Sequence, residues 1–387
     1  MKKDKKIPYG RQTISDEDIN SVIEVLKSDY LTQGPKILEF EKNFANYIGC
    51  SYAVAVSNGT AALHLSAMAL NLKKGDKVIT TPITFVASAN CVRYCGAEVV
   101  FSDIDPDTYL LDIKKVEYLL ENSPPNTFQG IIPVDFAGRA NDLESFRKLA
   151  DKYDLWILED ACHSPGGYFV DELGNNQNCG NGNFADLAIF SFHPVKHIAA
   201  GEGGMITTNN EELYRRLLNL RSHGIQQNPE LKKYNHGMWY YEMQELGFNY
   251  RLTDMQAALG NSQLKQAKEG IKIRRNIASK YYNFFKDKSY IKGQSGLIEG
   301  HAYHLYIIRV EQRDLLFKKL RGLNIICQVH YIPAHLMPYY QDLGNRKGDH
   351  PCAESYYSEC ITLPIYPSLS ITDQDYVIKT IDDFYDE

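Results

Sequence analysis

A lysine set between an apolar run and a glycine-rich turn is the group in this chain best placed to do covalent chemistry. The segment reads Phe190-Ser191-Phe192-His193-Pro194-Val195-Lys196-His197-Ile198-Ala199-Ala200-Gly201-Glu202-Gly203-Gly204. Burial at such a place lowers an amine's pKa and makes it a nucleophile toward an aldehyde. Most lysines, however, are solvated surface charges, so Lys196 alone says little. A second segment, Leu155-Trp156-Ile157-Leu158-Glu159-Asp160-Ala161-Cys162-His163-Ser164, is an apolar run ending in two acids and a histidine. Asp160 either presents a carboxylate at the end of a strand or caps the next turn. A third, Ser57-Asn58-Gly59-Thr60-Ala61-Ala62, leaves a strand for a helix. Glycine there admits close approach to the free amides of a helix start, an outline phosphate cradle. The same residues also read as an ordinary turn with Thr60 as N-cap.

Together the three segments are more informative than apart. A phosphate cradle, a strand-end aspartate and a buried-looking lysine are what pyridoxal phosphate requires: an anchor, a partner for the protonated pyridine nitrogen, and a Schiff-base amine. A metal centre has less support. Cys162 and His163 are adjacent, so their side chains diverge on a strand, and no spaced third and fourth ligands follow. No metal is expected, and a hydrolase built on Cys162, His163, His193 and His197 gains little from the spacing.

These residues need a scaffold that brings strand ends together. Short apolar runs at Tyr52–Val56, Val78–Thr81, Glu98–Phe101, Gly130–Phe136, Leu155–Glu159, Leu187–Ser191 and Met205–Thr208 alternate with helical patterns. Seven such strands predict a mostly parallel sheet covered on both faces, with ligands beyond the carboxyl ends of the strands. Ahead of them, a helix over 15–28 is capped by Ser15, and another follows Pro35 and ends at Gly49. After them come helical stretches at 210–222 and 252–288. Strand candidates Tyr303–Val310 and Ile325–Val329 and a helix near 372–385 then predict a smaller α+β domain. The expected divisions are an N-terminal segment (1–30), a large α/β domain (31–250), and connecting helices with the small domain (251–387). The polar stretch Asp171–Asn183 reads as a longer hairpin at the sheet edge.

Composition narrows the partners. The 387 residues carry 42 Lys and Arg against 48 Asp and Glu, a net charge of −6, so no basic field invites nucleic acid or an anionic membrane. No apolar run approaches the ~18 residues of a spanning helix, and Met1-Lys2-Lys3-Asp4-Lys5-Lys6 leads into no apolar h-region. Eight scattered cysteines without a CxxC pair are expected to be reduced thiols in a cytoplasm.

The ordered motifs resemble those of the DegT/DnrJ/EryC1/StrS sugar aminotransferases, fold-type-I pyridoxal-phosphate enzymes that place an amino group on nucleotide-linked keto-sugars. The resemblance runs from Leu31-Thr32-Gln33-Gly34-Pro35 through Ser57–Ala62, Glu159–His163, Ser191–Gly204 and Gly247-Phe248-Asn249-Tyr250-Arg251-Leu252 to Gln328-Val329-His330-Tyr331-Ile332-Pro333. It implies Lys196 as Schiff-base lysine and proton shuttle, and Asp160 as pyridinium partner. It further implies Gly59, Thr60 and Ser191 as phosphate ligands, Phe85 as the ring-stacking aromatic and His163 beside the ring hydroxyl. Asn249, otherwise a turn residue, is implied to reach a neighbouring subunit's site, hence a homodimer. Tyr9, Tyr30, Leu31, Thr32, Arg251, His330 and Tyr331 match sugar-nucleotide positions.

Four stretches bring the chain nearest to members acting on UDP-linked sugars: Thr80–Ala87, Ser191–Lys196, Arg221–Gly224 and Gln328–Tyr331. The implied reaction moves an amino group from L-glutamate to C4 of a UDP-linked 4-keto-6-deoxy-N-acetylhexosamine, as in pseudaminic acid biosynthesis. A dTDP- or GDP-linked sugar and a non-catalytic cofactor- or sugar-nucleotide-binding regulator are the alternatives. Family members that dehydrate keto-sugars carry histidine in place of the lysine, and this chain keeps Lys196.

Overall fold

Alternation within Tyr52–Val56 decides how the large sheet is covered: Val54 and Val56 enter one apolar core, Ala53 and Ala55 the other. The computed structural model describes residues 5–226, 228–234 and 236–386. Its large sheet has seven strands, in chain order β1 (Tyr52–Val56), β2 (Lys77–Thr80), β3 (Glu98–Phe101), β4 (Gly130–Ile132), β5 (Trp156–Asp160), β6 (Leu187–Ser191) and β7 (Gly204–Thr208). Across the sheet the order is β1-β7-β6-β5-β4-β2-β3. Only β7 runs against its neighbours, β1 and β6; the pairs from β6 to β3 are parallel. All seven expected strands are present: Tyr52–Val56, Glu98–Phe101 and Leu187–Ser191 with the expected bounds, the other four with ends shifted by a residue or more. The run Gly130–Phe136 stops early as a strand because Pro133 has no N–H to donate, and Val134 makes only an isolated bridge to Asp160. At Gly130 a side chain is excluded: a Cβ would lie 2.1 Å from the Trp156 ring.

The helix Asp16–Leu26 begins with a reciprocal capping box. Asp18 N–H donates to Ser15 Oγ (3.2 Å) and Ser15 N–H to Asp18 Oδ2 (2.8 Å). Pro35–Ile48 closes at Gly49 in the left-handed region (φ 89°). The stretch 252–288 splits at Gln266 into Asp254–Lys265 and Ala267–Phe285.

Beyond it, Ile291–Gln294, Tyr306–Val310 and Cys360–Leu363 form a separate antiparallel sheet packed under Ala267–Phe285 and Ile371–Asp386. Buried Arg274 ties this part together, donating to the carbonyls of Tyr303, His304 and Ile365. Ile325–Ile326 pairs in parallel with Ile7–Pro8, which sets Tyr9 near the mouth of the large sheet. The hairpin Tyr168–Val170/Asn176–Asn178 forms its own two-stranded ladder. It sits between β5 and β6 in sequence and joins neither edge strand, so the edge placement expected for Asp171–Asn183 is corrected. Among the described residues no helix is long and apolar enough to cross a membrane.

Candidate active site

Three strands deliver the chemistry to one place. β5 ends at Asp160, β6 ends at Ser191, and β1 runs into Asn58, the N-cap of the helix Gly59–Ala69. Beyond these carboxyl ends opens a cavity of about 1200 Å³. Asn58 Oδ1 accepts from Ala61 N–H at 2.8 Å, while the amides of Gly59 and Thr60, first in the helix, have no carbonyl one turn earlier to bond. A Cβ on Gly59 would lie 3.0 Å from Ser191 Cβ and 3.5 Å from Cys162 Sγ, so the cradle accommodates a phosphate only as glycine.

Asp160 is buried and fixed as an acceptor. Its Oδ2 accepts from Ser88 Oγ (2.6 Å), which in turn lies 2.7 Å from Thr84 Oγ1, and its Oδ1 accepts from Cys162 N–H (3.2 Å). Lys196 lines the same cavity; burial pulls its amine below the usual lysine range, while Cys162 and Asp160 pull back upward. The result is an amine closer to deprotonation than a surface lysine, held near a carboxylate. His163 is held neutral, its pKa pushed well down by burial and by Lys196, His330 and His197. Its Nδ1 accepts from Ala137 N–H (3.2 Å), so Nε2 carries the proton and faces Tyr331 Oη at 3.3 Å. Burial likewise raises the Tyr331 phenol and lowers His330 to about 3.

Of the expected residues, Gly59, Thr60, Phe85, Asp160, His163, Ser191, Lys196, Tyr9, His330 and Tyr331 all line the cavity. The Tyr9 and His330 rings are 4.9 Å apart, and the Phe85 ring is 58% exposed, a free face 6.3 Å from Tyr331. Tyr30, Leu31, Thr32, Asn249 and Arg251 lie outside it. They are grouped on a neighbouring face: Asp254 N–H donates to Leu31 O, Thr32 bridges Thr253, Arg251 bridges Val56, and Asn249 bridges Ser222. Sequence reasoning missed Ser88, the Asp160 partner, which stands 72 residues away from it in sequence. It also missed His64 and Tyr250, whose Nδ1 and Oη are 3.3 Å apart in the cavity wall.

The three groups expected therefore stand around one cavity: the amides of a helix start, a buried carboxylate, and an amine of lowered pKa. These residues fit pyridoxal 5′-phosphate. Comparison with known proteins agrees. A protein of Methanocaldococcus jannaschii described as uncharacterized is 40% identical, covering 96% of this chain and 95% of its own length. The UDP-4-amino-4,6-dideoxy-N-acetyl-beta-L-altrosamine transaminase of Campylobacter jejuni serotype O:23/36 is 36% identical, covering 97% and 96%. Helicobacter pylori PseC, an aminotransferase involved in the biosynthesis of pseudoaminic acid, superposes with a TM-score of 0.89 at 31% identity, covering 99% and 100%. With residues 12–382 matching its model, the chain belongs to the DegT/DnrJ/EryC1/StrS aminotransferase family, enzymes whose cofactor is pyridoxal 5′-phosphate.

Proposed function

We propose that this aminotransferase moves the amino group of L-glutamate to C4 of a UDP-linked 4-keto-6-deoxy-N-acetylhexosamine. The observation that carries the reading is the amine of Lys196, lowered by burial and set in one cavity with the Asp160 carboxylate and the Gly59 cradle. The sugar substrate is supported by the name of the Campylobacter relative. Size supports it too: about 1200 Å³ exceeds the roughly 300–1,000 Å³ of a site for one small ligand.

Pyridoxal phosphate, when bound, supplies an electron sink for the bond being broken at the donor's Cα. The chain supplies the protons and the placement. Lys196 Nζ takes the Cα proton of glutamate and hands it on, then reverses the transfer when C4 of the keto-sugar becomes the amine carbon. Asp160, fixed by Ser88 and Cys162 N–H, would hold the ring nitrogen in its protonated form. His163, neutral and anchored through Nδ1, offers Nε2–H on the side of Tyr331, and Tyr9 with His330 walls the sugar side.

The donor's carboxylates and a diphosphate need cations, yet Lys196 is the one Lys or Arg lining the cavity of a single chain, among the described residues. We assign that deficit to a homodimer, in which Asn249, Arg251, Tyr30, Leu31 and Thr32 of one copy complete the other's site. The test is the visible spectrum of the cofactor-loaded protein before and after L-glutamate, followed by UDP-, dTDP- and GDP-linked 4-keto-sugars with mass analysis of the product. Glutamate should bleach the yellow band and the UDP-sugar should restore it with an amino-sugar formed. A band indifferent to glutamate, or restored only by dTDP- or GDP-sugars, overturns the donor or the nucleotide.

A further inference from the structure

Behind Asp160 lies a carboxyl pair that the reaction does not use. Glu159 is 1% exposed and Asp135 is fully buried, and their carboxyl oxygens lie within 4.8 Å of each other and of Cys179 Sγ. Neither acid takes part in an ion pair among the described residues. The titratable groups facing the pair are Asp160 on the same strand, Cys179 after the hairpin and Cys162 in the turn, none of them cationic.

The donors around the pair show which oxygen is left over. Asp135 Oδ1 accepts from Asn141 N–H (2.9 Å) and Nδ2 (2.8 Å), and Oδ2 accepts from Ser164 Oγ (2.6 Å). Glu159 Oε2 accepts from Gly180 N–H at 2.9 Å. Glu159 Oε1 is buried with no partner. Two ionised carboxylates this close, dry and uncompensated would repel strongly, whereas a proton on the leftover oxygen satisfies both.

We propose that Glu159 is a neutral acid whose Oε1 proton is donated to the Asp135 carboxylate, making it a positioning residue for Asp160. Burial pushes Glu159 well above the usual carboxylate range and raises Asp135 as well, in line with that arrangement. The pair then carries one negative charge, not two. It also braces the place where Asp160 leaves the sheet: Asp135 N–H donates to Asp160 O (3.0 Å) and Asp160 N–H to Pro133 O (2.9 Å). The proton couples these two strand ends side chain to side chain, while Gly180, Asn141 and Ser164 anchor the pair to three loops.

The test is infrared spectroscopy of the holoenzyme at neutral pH, with ¹³C-labelled glutamate residues to identify the band. A protonated-carboxyl C=O band that moves with the label and vanishes in Glu159→Gln is the expected result. Its absence from the wild-type spectrum, or its survival in the variant, overturns the proposal, and absence from the labelled wild type does so even if the variant does not fold. A second readout is the pH midpoint of the lysine-bound cofactor's visible band. Glutamine is as uncharged as the protonated acid, so Glu159→Gln should move it by less than about 0.2 unit, whereas loss of a real charge nearby should lower it by more than about 0.5 unit. A stoichiometric metal ion at Asp135, Glu159 and Cys179 in elemental analysis would also overturn it.

Discussion

In the proposed reaction Lys196 has two tasks that no other side chain in the cavity duplicates: holding the cofactor and carrying the proton. Lys196→Ala should therefore lower transamination by about 10³-fold or more while the protein still retains cofactor through the Gly59 and Thr60 amides. Steady-state rates and the visible spectrum check this, and substantial turnover by the variant would remove the lysine from its role. Ser88 acts one step back, through the 2.6 Å bond to Asp160 Oδ2. Ser88→Ala leaves that carboxylate short of a donor, and a hydrogen bond to a charged group is worth about 1.5–3 kcal/mol, so kcat should fall roughly tenfold to a hundredfold. A kcat equal to wild type would show that Cys162 N–H alone suffices. That Lys196, Asp160 and Gly59 come together was legible in the sequence because each stands at or shortly after the end of a strand. Ser88, His64 and Tyr250 were not, because their roles arise only when separate segments close on one another.

At the scale of elements, the helix Pro351–Glu359 shows how the C-terminal part is fastened to the large sheet. Asp103, just past β3, accepts from the amides of Cys352 (3.0 Å) and Ala353 (2.9 Å), and from Lys115 Nζ (3.0 Å). A residue almost 250 positions away thus caps a helix whose own N-cap, His350, makes no side-chain cap bond. Burial raises the Asp103 pKa, but the amides and Lys115 outweigh it and leave the carboxyl below its ordinary value. A depressed folded-state pKa gives stability that is present above the unfolded value of roughly 3.9 and is lost as the pH falls through the folded one. Asp103→Asn should lower stability by about 2 kcal/mol near neutrality and flatten the acid limb of the curve, measured by urea unfolding from pH 3 to 7. An unchanged acid limb would assign that limb to other carboxylates. The seven strands of the large sheet were readable because strands buried on both faces are near-continuous apolar runs. Ile325–Val329 was read too long: only Ile325–Ile326 form a strand, with Ile7–Pro8 more than 300 residues away in sequence, while Gln328 makes an isolated bridge to Thr362. Gln266, where 252–288 divides, carries no glycine or proline to mark the break.

On the scale of the whole molecule, the proposed function makes the cavity and the face beside it unequal halves of one requirement. The cavity holds the amine and the ring partner but lacks the cations that anionic substrates need; the face holds Arg251 and the exposed Asn249, Tyr30 and Leu31. Near it in sequence, Met238, Trp239, Tyr241, Met243 and Leu246 are all more than 60% exposed, the kind of apolar grouping that marks a contact surface. If two copies exchange these faces by a two-fold axis, each site takes Lys196 from one chain and Arg251 from the other. Lys196→Ala and Arg251→Ala should then each be nearly inactive alone. After mixing under conditions that let subunits exchange, half of the dimers are hybrids in which one site has lost both residues and the other has lost neither. Activity should recover to about a quarter of the wild-type value by that count. The same mixture kept from exchanging should stay inactive. No recovery with exchange would place both residues in a site built from a single chain, and the missing cations would then have to come from a movement of Arg251 itself.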